Sequence, residues 1–252
     1  MIMVIPTVIE VDRCGGPGGH VRTRLSGSAV RPRRLPDEAG RVRVALVAGQ
    51  ALLLAGDEVS IAVRVGAGVD LEIVETAGTV AHDMRGGRAS WQVGVDVADD
   101  ASLIWDGRPF VVAQGARVDR TTTMTLAGSA WAAVREVLVL GRTGEAPGLL
   151  HTRTETVLDG RPLSVESLTL DAAAVADPAL LGGNRCLDSV LLAGRRSGRP
   201  GALQLEGTGS IDRCLVRQAH LSDLDGYLSG EPLLWKGDDF SQTGVRSARA
   251  VR

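Results

Sequence analysis

The feature that most constrains the fold of this chain is a period of two in its apolar residues. In residues 58–65, EVSIAVRV, every second side chain is a large aliphatic one, and the same alternation recurs at 93–97 and 203–205. Successive side chains of a β-strand point to opposite faces, so each run predicts a strand with one apolar face. Turn-forming segments separate such runs, at residues 66–68, 86–87, 106–107, 159–160 and 197–198.

Many short strands between closely spaced turns predict a mainly β fold of packed or wound sheets, either a β-sandwich or a β-helix-like structure. We expect a single compact domain over residues 1–252, with a few short helices. The candidate helices are residues 171–181, which are Ala-rich but contain Pro178, and residues 221–228, whose apolar spacing is loosely helical. The sequence shows no internal repeat of fixed period.

Two further segments stand out along the chain. Residues 1–40 contain a Gly-rich segment at 14–20 and a basic, Pro-containing segment at 31–36, so we expect a flexible N-terminal part with a loop at 31–36. Residues 134–140 form an apolar run that only Arg135 and Glu136 interrupt, which predicts a buried strand.

The composition argues against several classes of protein. A net charge of -2 gives no reason to expect nucleic acid or a membrane as a partner. Lys236 is the only lysine and precedes Gly237, whereas a phosphate-binding loop needs a lysine beside Ser or Thr. The start of the sequence, MIMVIPTVIEVDR, lacks the basic leader and the cleavage site of a secretory signal. We therefore expect a cytoplasmic protein.

The sequence contains no G-x-S-x-G elbow, no H-E-x-x-H pair and no H-x-E with C-x-x-C, so we expect no catalytic residue. Cys14 and His20 flank the Gly-rich segment and could share a metal with Cys186 or Cys214, although free thiols and an unrelated histidine are the simpler interpretation. A sugar-binding β-sandwich would need aromatic platforms, and a metal-dependent hydrolase would need a His/Asp cluster; both are weaker alternatives.

A series of short segments carries a family resemblance. They are LAGDEV at 54–59, GAGVDL at 66–71, TAGT at 76–79, ASLIW at 101–105, LVLGRTGE at 138–145 and DGRPLSVE at 159–166. Their order and spacing resemble the UreD (also called UreH) family of urease accessory proteins. The resemblance extends from about residue 42 to 170 and more weakly to 216, and the C-terminal arm, 221–252, matches poorly.

The resemblance implies an accessory protein without enzymatic activity. By this resemblance the chain would bind a UreF-type helical protein and, through it, a UreG-type GTPase that carries nickel. We would then expect that assembly to dock on apo-urease, and nickel to pass through a channel in this subunit without being tightly bound there. The implied function is a scaffold or chaperone required for nickel insertion into the urease active site.

Four carboxylates in apolar surroundings are candidates for lining such a nickel passage: Asp57, Glu58, Glu136 and Glu166. Carboxylates are seldom buried unless they are paired or hydrated, and an ion path needs several weak oxygen ligands. Three of them also have an ordinary interpretation. Asp57 could accept hydrogen bonds from turn N–H groups, Glu136 could pair with Arg135, and Glu166 could pair with Arg161.

We predict that the glycine-containing parts of the motif segments form and brace turns. Within the string GRTGE, the guanidinium of Arg142 and the carboxylate of Glu145 can brace a turn that Gly141 and Gly144 flank. Gly56, which precedes the first candidate carboxylate, is placed in the same structural group.

Overall fold

The computed structural model describes residues 6–15 and 19–228. Their secondary structure is almost entirely β, which confirms the predicted fold class. The strands are β1 (Thr7–Arg13), β2 (Val21–Ser26), β3 (Val30–Glu38), β4 (Arg41–Ala48), β5 (Glu58–Val65), β6 (Asp70–Glu75), β7 (Thr79–Ala81), β8 (Ala89–Val97), β9 (Ser102–Asp106), β10 (Phe110–Val112), β11 (Arg117–Leu126), β12 (Trp131–Leu140), β13 (Leu149–Leu158), β14 (Arg161–Leu170), β15 (Cys186–Ala193), β16 (Leu203–Gln204) and β17 (Gly209–Val216). One short helix, α1 (Ala172–Ala176), and a 3₁₀ turn at Ala219–Leu221 complete this part of the chain, and neither is long and apolar enough to cross a membrane.

The strands form two sheets that share one interior. Sheet A has the strand order β14-β13-β11-β8-β5-β1-β2. Sheet B has the order β16-β17-β15-β12-β9-β6-β4-β3, and the short strands β7 and β10 pair beside β12. From β4 to β13, apart from the short strands β7 and β10, the chain alternates between the sheets, and the successive strands within each sheet pair in parallel.

The turns of this wound structure are similar in length. In sheet B, Val42 pairs with Leu71, Leu71 with Leu103 and Leu103 with Ala132, so successive turns advance by 29, 32 and 29 residues. Because the length of the turns varies and the aligned residues differ, the sequence shows no repeat of fixed period. The architecture is β-solenoid-like, which corresponds to the β-helix-like form of the sequence prediction.

Antiparallel hairpins close both ends of the wound part. Strands β1 and β2, and β3 and β4, pair at the first end, whereas β13 with β14 and β15 with β17 pair at the other. Asp159 and Gly160 connect β13 to β14 with φ angles of 50° and 70°. Two positive φ angles are typical of the two-residue hairpin turns that match the twist of the strands.

The inward side chains of both sheets meet in one continuous apolar core. Its deeply buried aliphatic side chains, each at 1% exposure or less, include Ile9, Ile61, Leu71, Leu103 and Leu138. Trp91 and Phe110 add an edge-to-face contact between the sheets, with ring centroids 5.6 Å apart. Each fully buried aliphatic side chain contributes about 1.5–3 kcal/mol, so a core poor in aromatic residues still stabilises the fold.

The outer face of sheet B carries a second, smaller apolar cluster. Leu224 and Leu228, beyond the last strand, pack there against Ile104, Val190 and Leu192. The end of the described chain therefore crosses this face and covers it.

Arg135 of β12 forms a buried ion pair on this face and also contacts the covering segment. Its guanidinium donates two hydrogen bonds to Asp188, at 3.0 and 2.8 Å, and one each to Asp106 and Asp225, at 3.2 and 3.0 Å. The side chains of Arg135 and Asp188 are 4% and 0% exposed and form the buried pair, whereas Asp225, in the covering segment, is 64% exposed. Removing one partner of such a buried pair costs about 3–5 kcal/mol, because the other charge is left without compensation.

The prediction of a loop at residues 31–36 is wrong. These residues lie within β3, where Pro32 pairs opposite Leu46. Because β3 is the edge strand of sheet B, one side of its backbone pairs with no neighbour and proline is tolerated there. Across the N-terminal part, predicted to be flexible, the described residues contribute β1, β2 and β3 to the two sheets.

The helix predictions are met in part. Helix α1 occupies Ala172–Ala176 inside the predicted region, and the Asp171 side chain caps it by accepting a hydrogen bond from the Ala174 N–H. It ends before Pro178, which disfavours helical geometry in the preceding residue. The helix predicted at 221–228 is wrong, since only the 3₁₀ turn at Ala219–Leu221 forms there. Its Leu224 and Leu228 meet the outer face of sheet B from an irregular segment instead.

We expect Gly194→Ala to destabilise the protein more than Gly201→Ala. Both glycines have a positive φ, 77° and 87°, which costs another residue about 1–2 kcal/mol. A Cβ atom at 194 would lie 2.2 Å from the carbonyl oxygen of Ala130, whereas one at 201 meets nothing within 4 Å. Thermal unfolding of the two variants measures the difference, and equal losses in Tm would contradict a role for the close approach at Gly194.

Candidate functional site

A row of polar residues crosses the inner face of sheet B. Glu136 of β12 pairs with Ser189 of β15, which pairs with Arg213 of β17. Glu75 ends β6 at the same inward parity as the buried Leu71 and Ile73 of that strand. The strand register therefore places Glu75 in the middle of the wound part and Glu136 near its last turn.

A second polar row crosses the inner face of sheet A and faces the first. Thr122 of β11 pairs with Thr154 of β13, which pairs with Glu166 of β14. In the preceding turn the equivalent position is the apolar Val93. The interior of the sheet thus changes from apolar to polar between its fourth and fifth strands counted along the chain, β8 and β11.

Two ion pairs connect the rows across the space between the sheets. Arg120 of β11 pairs with Glu136 of β12. Arg213 of β17 pairs with Glu166 of β14 through two contacts, both 2.9 Å long. The side chains of Arg120 and Glu136 are 12% and 25% exposed, whereas those of Arg213 and Glu166 are 35% and 38% exposed. One pair is therefore interior, and the other lies at the surface between the last strands.

Two neighbouring cavities lie along these rows. One, of about 40 Å³, is lined by residues that include Glu75, Trp105, Phe110 and Arg120, and the other, of about 60 Å³, by residues that include Thr154, Ser164, Glu166 and Arg213. Both are lined by Thr122, Met124, Val134 and Glu136. We call these two cavities, which share these lining residues, the interior passage. Each is large enough for water, since one molecule needs roughly 10–15 Å³.

The wall of the interior passage contains hydrogen-bonding capacity that no described residue uses. Thr122 is 6% exposed, and within residues 6–15 and 19–228 its hydroxyl oxygen has no hydrogen-bond partner. The same holds for the Nε of Arg120, which lines one of the cavities, and for the buried hydroxyls of Thr152 and Thr156, which flank the lining residue Thr154 on β13. Buried polar groups normally find partners, so unpaired hydroxyls beside a cavity indicate a hydrated space or a ligand.

Glu75 is the innermost carboxylate of the site. It accepts hydrogen bonds from the Nε1–H of Trp105 at 2.9 Å and from the backbone N–H of Arg108 at 2.8 Å. Burial raises the pKa of this carboxyl above its ordinary value, and the two hydrogen bonds and the charge of Arg120 oppose that rise. Arg108 is exposed and also lines the cavity, so the interior passage comes close to the surface at that loop.

The structure brings two of the four candidate carboxylates together and leaves two elsewhere. Glu136 and Glu166 both line the interior passage. Asp57 instead accepts a hydrogen bond from the Leu54 N–H at 2.8 Å, the ordinary turn role for this residue. Glu58 is exposed at the start of β5.

The ion-pair partners differ from those that sequence neighbours suggest. Glu136 pairs with Arg120 on the other sheet, because Arg135 points to the outer face of sheet B. Glu166 pairs with Arg213, which is 47 residues away, and not with Arg161. In a strand, adjacent residues face opposite sides, so neighbours in sequence are poor candidates for pairing.

Sequence reasoning missed Glu75, Arg120, Thr122 and Arg213. A signal for Glu75 was present, since Leu71, Ile73 and Glu75 share one parity in β6 and the first two are apolar. The others carry no signal that can be read without the strand pairing, because a polar residue in an alternating run is equally typical of the solvent face.

The turn between β12 and β13 has the geometry of a braced loop. Arg142 Nη2 lies 2.9 Å from Glu145 Oε1, and Glu145 N–H donates to Arg142 O at 3.0 Å. Gly141 and Gly144 have φ angles of 79° and 81°, which favour glycine. Gly56, with a φ of 86°, forms a similar turn before β5.

The cysteines are free and lie at different places in the fold. Cys14 follows β1, and its N–H donates to the His20 carbonyl at 3.0 Å. Cys186 and Cys214 lie on β15 and β17 in the other sheet, and burial raises the pKa of the Cys186 thiol to about 12. Among the described residues, no three His, Cys, Asp or Glu side chains gather into a metal-binding group.

This geometry defines the class of protein: a wound β-scaffold with polar cavities between its sheets. The profile of the family described as UreD urease accessory protein matches residues 19–228. Urease accessory protein UreD 1 of Streptomyces griseus is 45% identical over 219 residues, which cover 85% of this chain and 86% of that protein. UreD of a Parafrankia species is 31% identical and UreD of Streptomyces coelicolor 32%, with 88% and 75% of this chain covered and 88% and 74% of those proteins. The chain belongs to the UreD family of urease accessory proteins, as its motif segments predict.

We expect the stability of the wild type to fall relative to Glu75→Gln as the pH rises from the ordinary carboxyl range towards neutrality. A raised pKa in the folded state means that folding favours the protonated carboxyl. Glu75 therefore contributes stability that is complete below its pKa in the unfolded chain and is lost as the pH rises through its folded pKa. Glutamine does not titrate, so urea midpoints of both proteins from about pH 4 to 8 reveal the difference. Glu58→Gln, at an exposed position, controls for loss of a negative charge, and parallel profiles for wild type and Glu75→Gln would disprove the prediction.

Proposed function

We propose that this chain is a nickel-conducting scaffold for urease maturation. In this proposal it binds a UreF-type protein and, through it, a UreG-type GTPase, and the assembly docks on apo-urease. Nickel is cargo that moves through the interior passage and leaves for the urease active site. Family membership supports the accessory role, and the polar rows between the sheets support the route.

The observation that carries the proposal is the pair of facing polar rows. Glu75 and Glu136 provide carboxylate oxygens in the row of sheet B, and Glu166 with the hydroxyls of Thr122 and Thr154 provides oxygens in the row of sheet A. A divalent ion in a narrow path needs oxygen ligands in place of its water shell. Nickel accepts oxygen ligands, and it binds most tightly where imidazole and thiolate ligands are added. Single carboxylates spaced along a path suit transit better than a closed cage does.

The main competing assignment, a sugar-binding module, relies on exposed aromatic platforms. Trp91 and Trp105 are 7% and 6% exposed in the core, and Trp131 lies beneath the guanidinium of Arg195, whose Cζ is 4.0 Å from the ring centroid. These rings are occupied by contacts within the protein, so they favour the accessory role over carbohydrate binding.

We predict that Glu136→Gln with Glu166→Gln lowers the nickel content and activity of co-expressed urease several-fold. Loss of two carboxylates raises the barrier to transit, because the amide oxygens that remain carry no charge. The matched control is Asp57→Asn with Glu58→Gln, which also removes two carboxylates but lies outside the interior passage. Nickel per urease, urease activity and the yield of the complex are measured in the same preparations.

The control variant should load urease as the wild type does, and both variants should assemble with their partners. Normal nickel loading by the Glu136 and Glu166 variant would overturn the passage assignment. A fall in loading that accompanies an equal fall in soluble chain would assign these residues to the fold and not to transit.

A further inference from the structure

The interior passage contains its own cations. Arg120 and Arg213 each pair with a carboxylate of the opposite sheet, so Glu136 and Glu166 are already neutralised by guanidinium groups. Arg120 is also close enough to Glu75 for its charge to act on that carboxyl. A divalent ion that enters the passage therefore meets carboxylates that are already paired with guanidinium groups.

This arrangement answers a physical difficulty of any ion path lined by carboxylates. Two uncompensated carboxylates with a hydroxyl nearby would hold a divalent ion, whereas conduction requires binding weak enough for the ion to leave. A resident guanidinium competes for the same oxygens and repels the incoming cation, so it lowers the affinity of the site.

We propose that Arg120 and Arg213 are resident counter-ions that an entering divalent cation must displace from Glu136 and Glu166. This inference rests on the proposed function, because it concerns the release of the same cargo. Arg213 controls entry at the surface, and Arg120 prevents retention in the interior. Both arginines act on the cargo through the carboxylates that they occupy.

The surroundings of Arg120 allow its guanidinium to leave Glu136 without leaving the passage. Its Cζ lies 5.4 Å from the centroid of the Phe110 ring, a favourable position for a cation over an aromatic face. Its Nε has no hydrogen-bond partner among the described residues, so a single ion pair to Glu136 holds the charged end. The unpaired hydroxyl of Thr122, 6% exposed, lines the same cavities as Glu136 and is a further oxygen ligand for the ion.

The test is Ni²⁺ binding by the full-length chain, measured by equilibrium dialysis with nickel chloride. Arg120→Met keeps an unbranched, apolar stem but removes the guanidinium and its charge, so the Kd for Ni²⁺ should fall by about tenfold or more. Arg120→Lys keeps a cation and should bind as the wild type does. In the double variant Arg120→Met with Glu136→Gln the gain should disappear, because the released carboxylate is then also removed.

A parallel pair of variants at the surface keeps the proposal testable if Arg120→Met does not fold. Arg213 and Glu166 are partly exposed, and exposed pairs contribute little to stability. Arg213→Met should therefore remain folded and bind Ni²⁺ more tightly than the wild type, and added Glu166→Gln should cancel the gain. Circular dichroism verifies the fold of each variant. Folded arginine variants that bind Ni²⁺ no more tightly than the wild type would overturn the proposal.

The two proposals fail in different ways. If Glu136→Gln with Glu166→Gln leaves urease nickel unchanged, the passage itself is not the route, whatever the arginine variants bind. If that variant lowers urease nickel but neither Arg120→Met nor Arg213→Met tightens binding, transit stands and the counter-ion role fails. If both hold, Arg120→Met should also lower urease nickel, because the cargo is retained although every carboxylate remains.

Discussion

Parallel pairing between successive turns is the constraint on which the rest of this structure depends. Each strand lies on the equivalent strand of the preceding turn with the same parity, so inward residues stay inward from β1 to β13. A shift of one residue would send a whole strand's apolar set to the solvent. The buried aliphatic residues of both sheets resist that shift, and they keep the polar positions aligned as well.

The inward residues at aligned positions change from apolar to polar along the chain. One inward column of sheet A reads Ile61, Val93, Thr122, Thr154, from a wholly apolar start to a polar end. Polar groups are costly inside a protein unless they are paired or hydrated. In the last turns, the cross-sheet ion pairs provide charged partners and the cavities beside them provide room for water. These turns can therefore hold a polar interior, whereas the first turns are filled by apolar side chains.

The sequence predicted the strands well and their pairing hardly at all. Alternation depends on local residues, whereas pairing depends on turns whose length varies and which no repeated motif marks. Glu136 and Glu166 were found because they interrupt apolar runs, and both line the passage. Asp57 also follows such a run, but its carboxylate accepts a hydrogen bond from the Leu54 N–H in a turn. Arg120 was missed because only the pairing of strands distant in sequence makes it an inward residue.

The edges of the two sheets have a consequence for how copies of this protein meet. Wound β structures can extend by stacking one molecule on the next through unpaired strand edges. Here sheet B ends in the two-residue strand β16 at one side and at the other in β3, which contains Pro32 and Pro36. Sheet A ends in β14, where Pro162 stands near the start of the strand. Proline removes the donor that a new strand would need, so the β3 and β14 edges oppose pairing with a second molecule and growth into fibres.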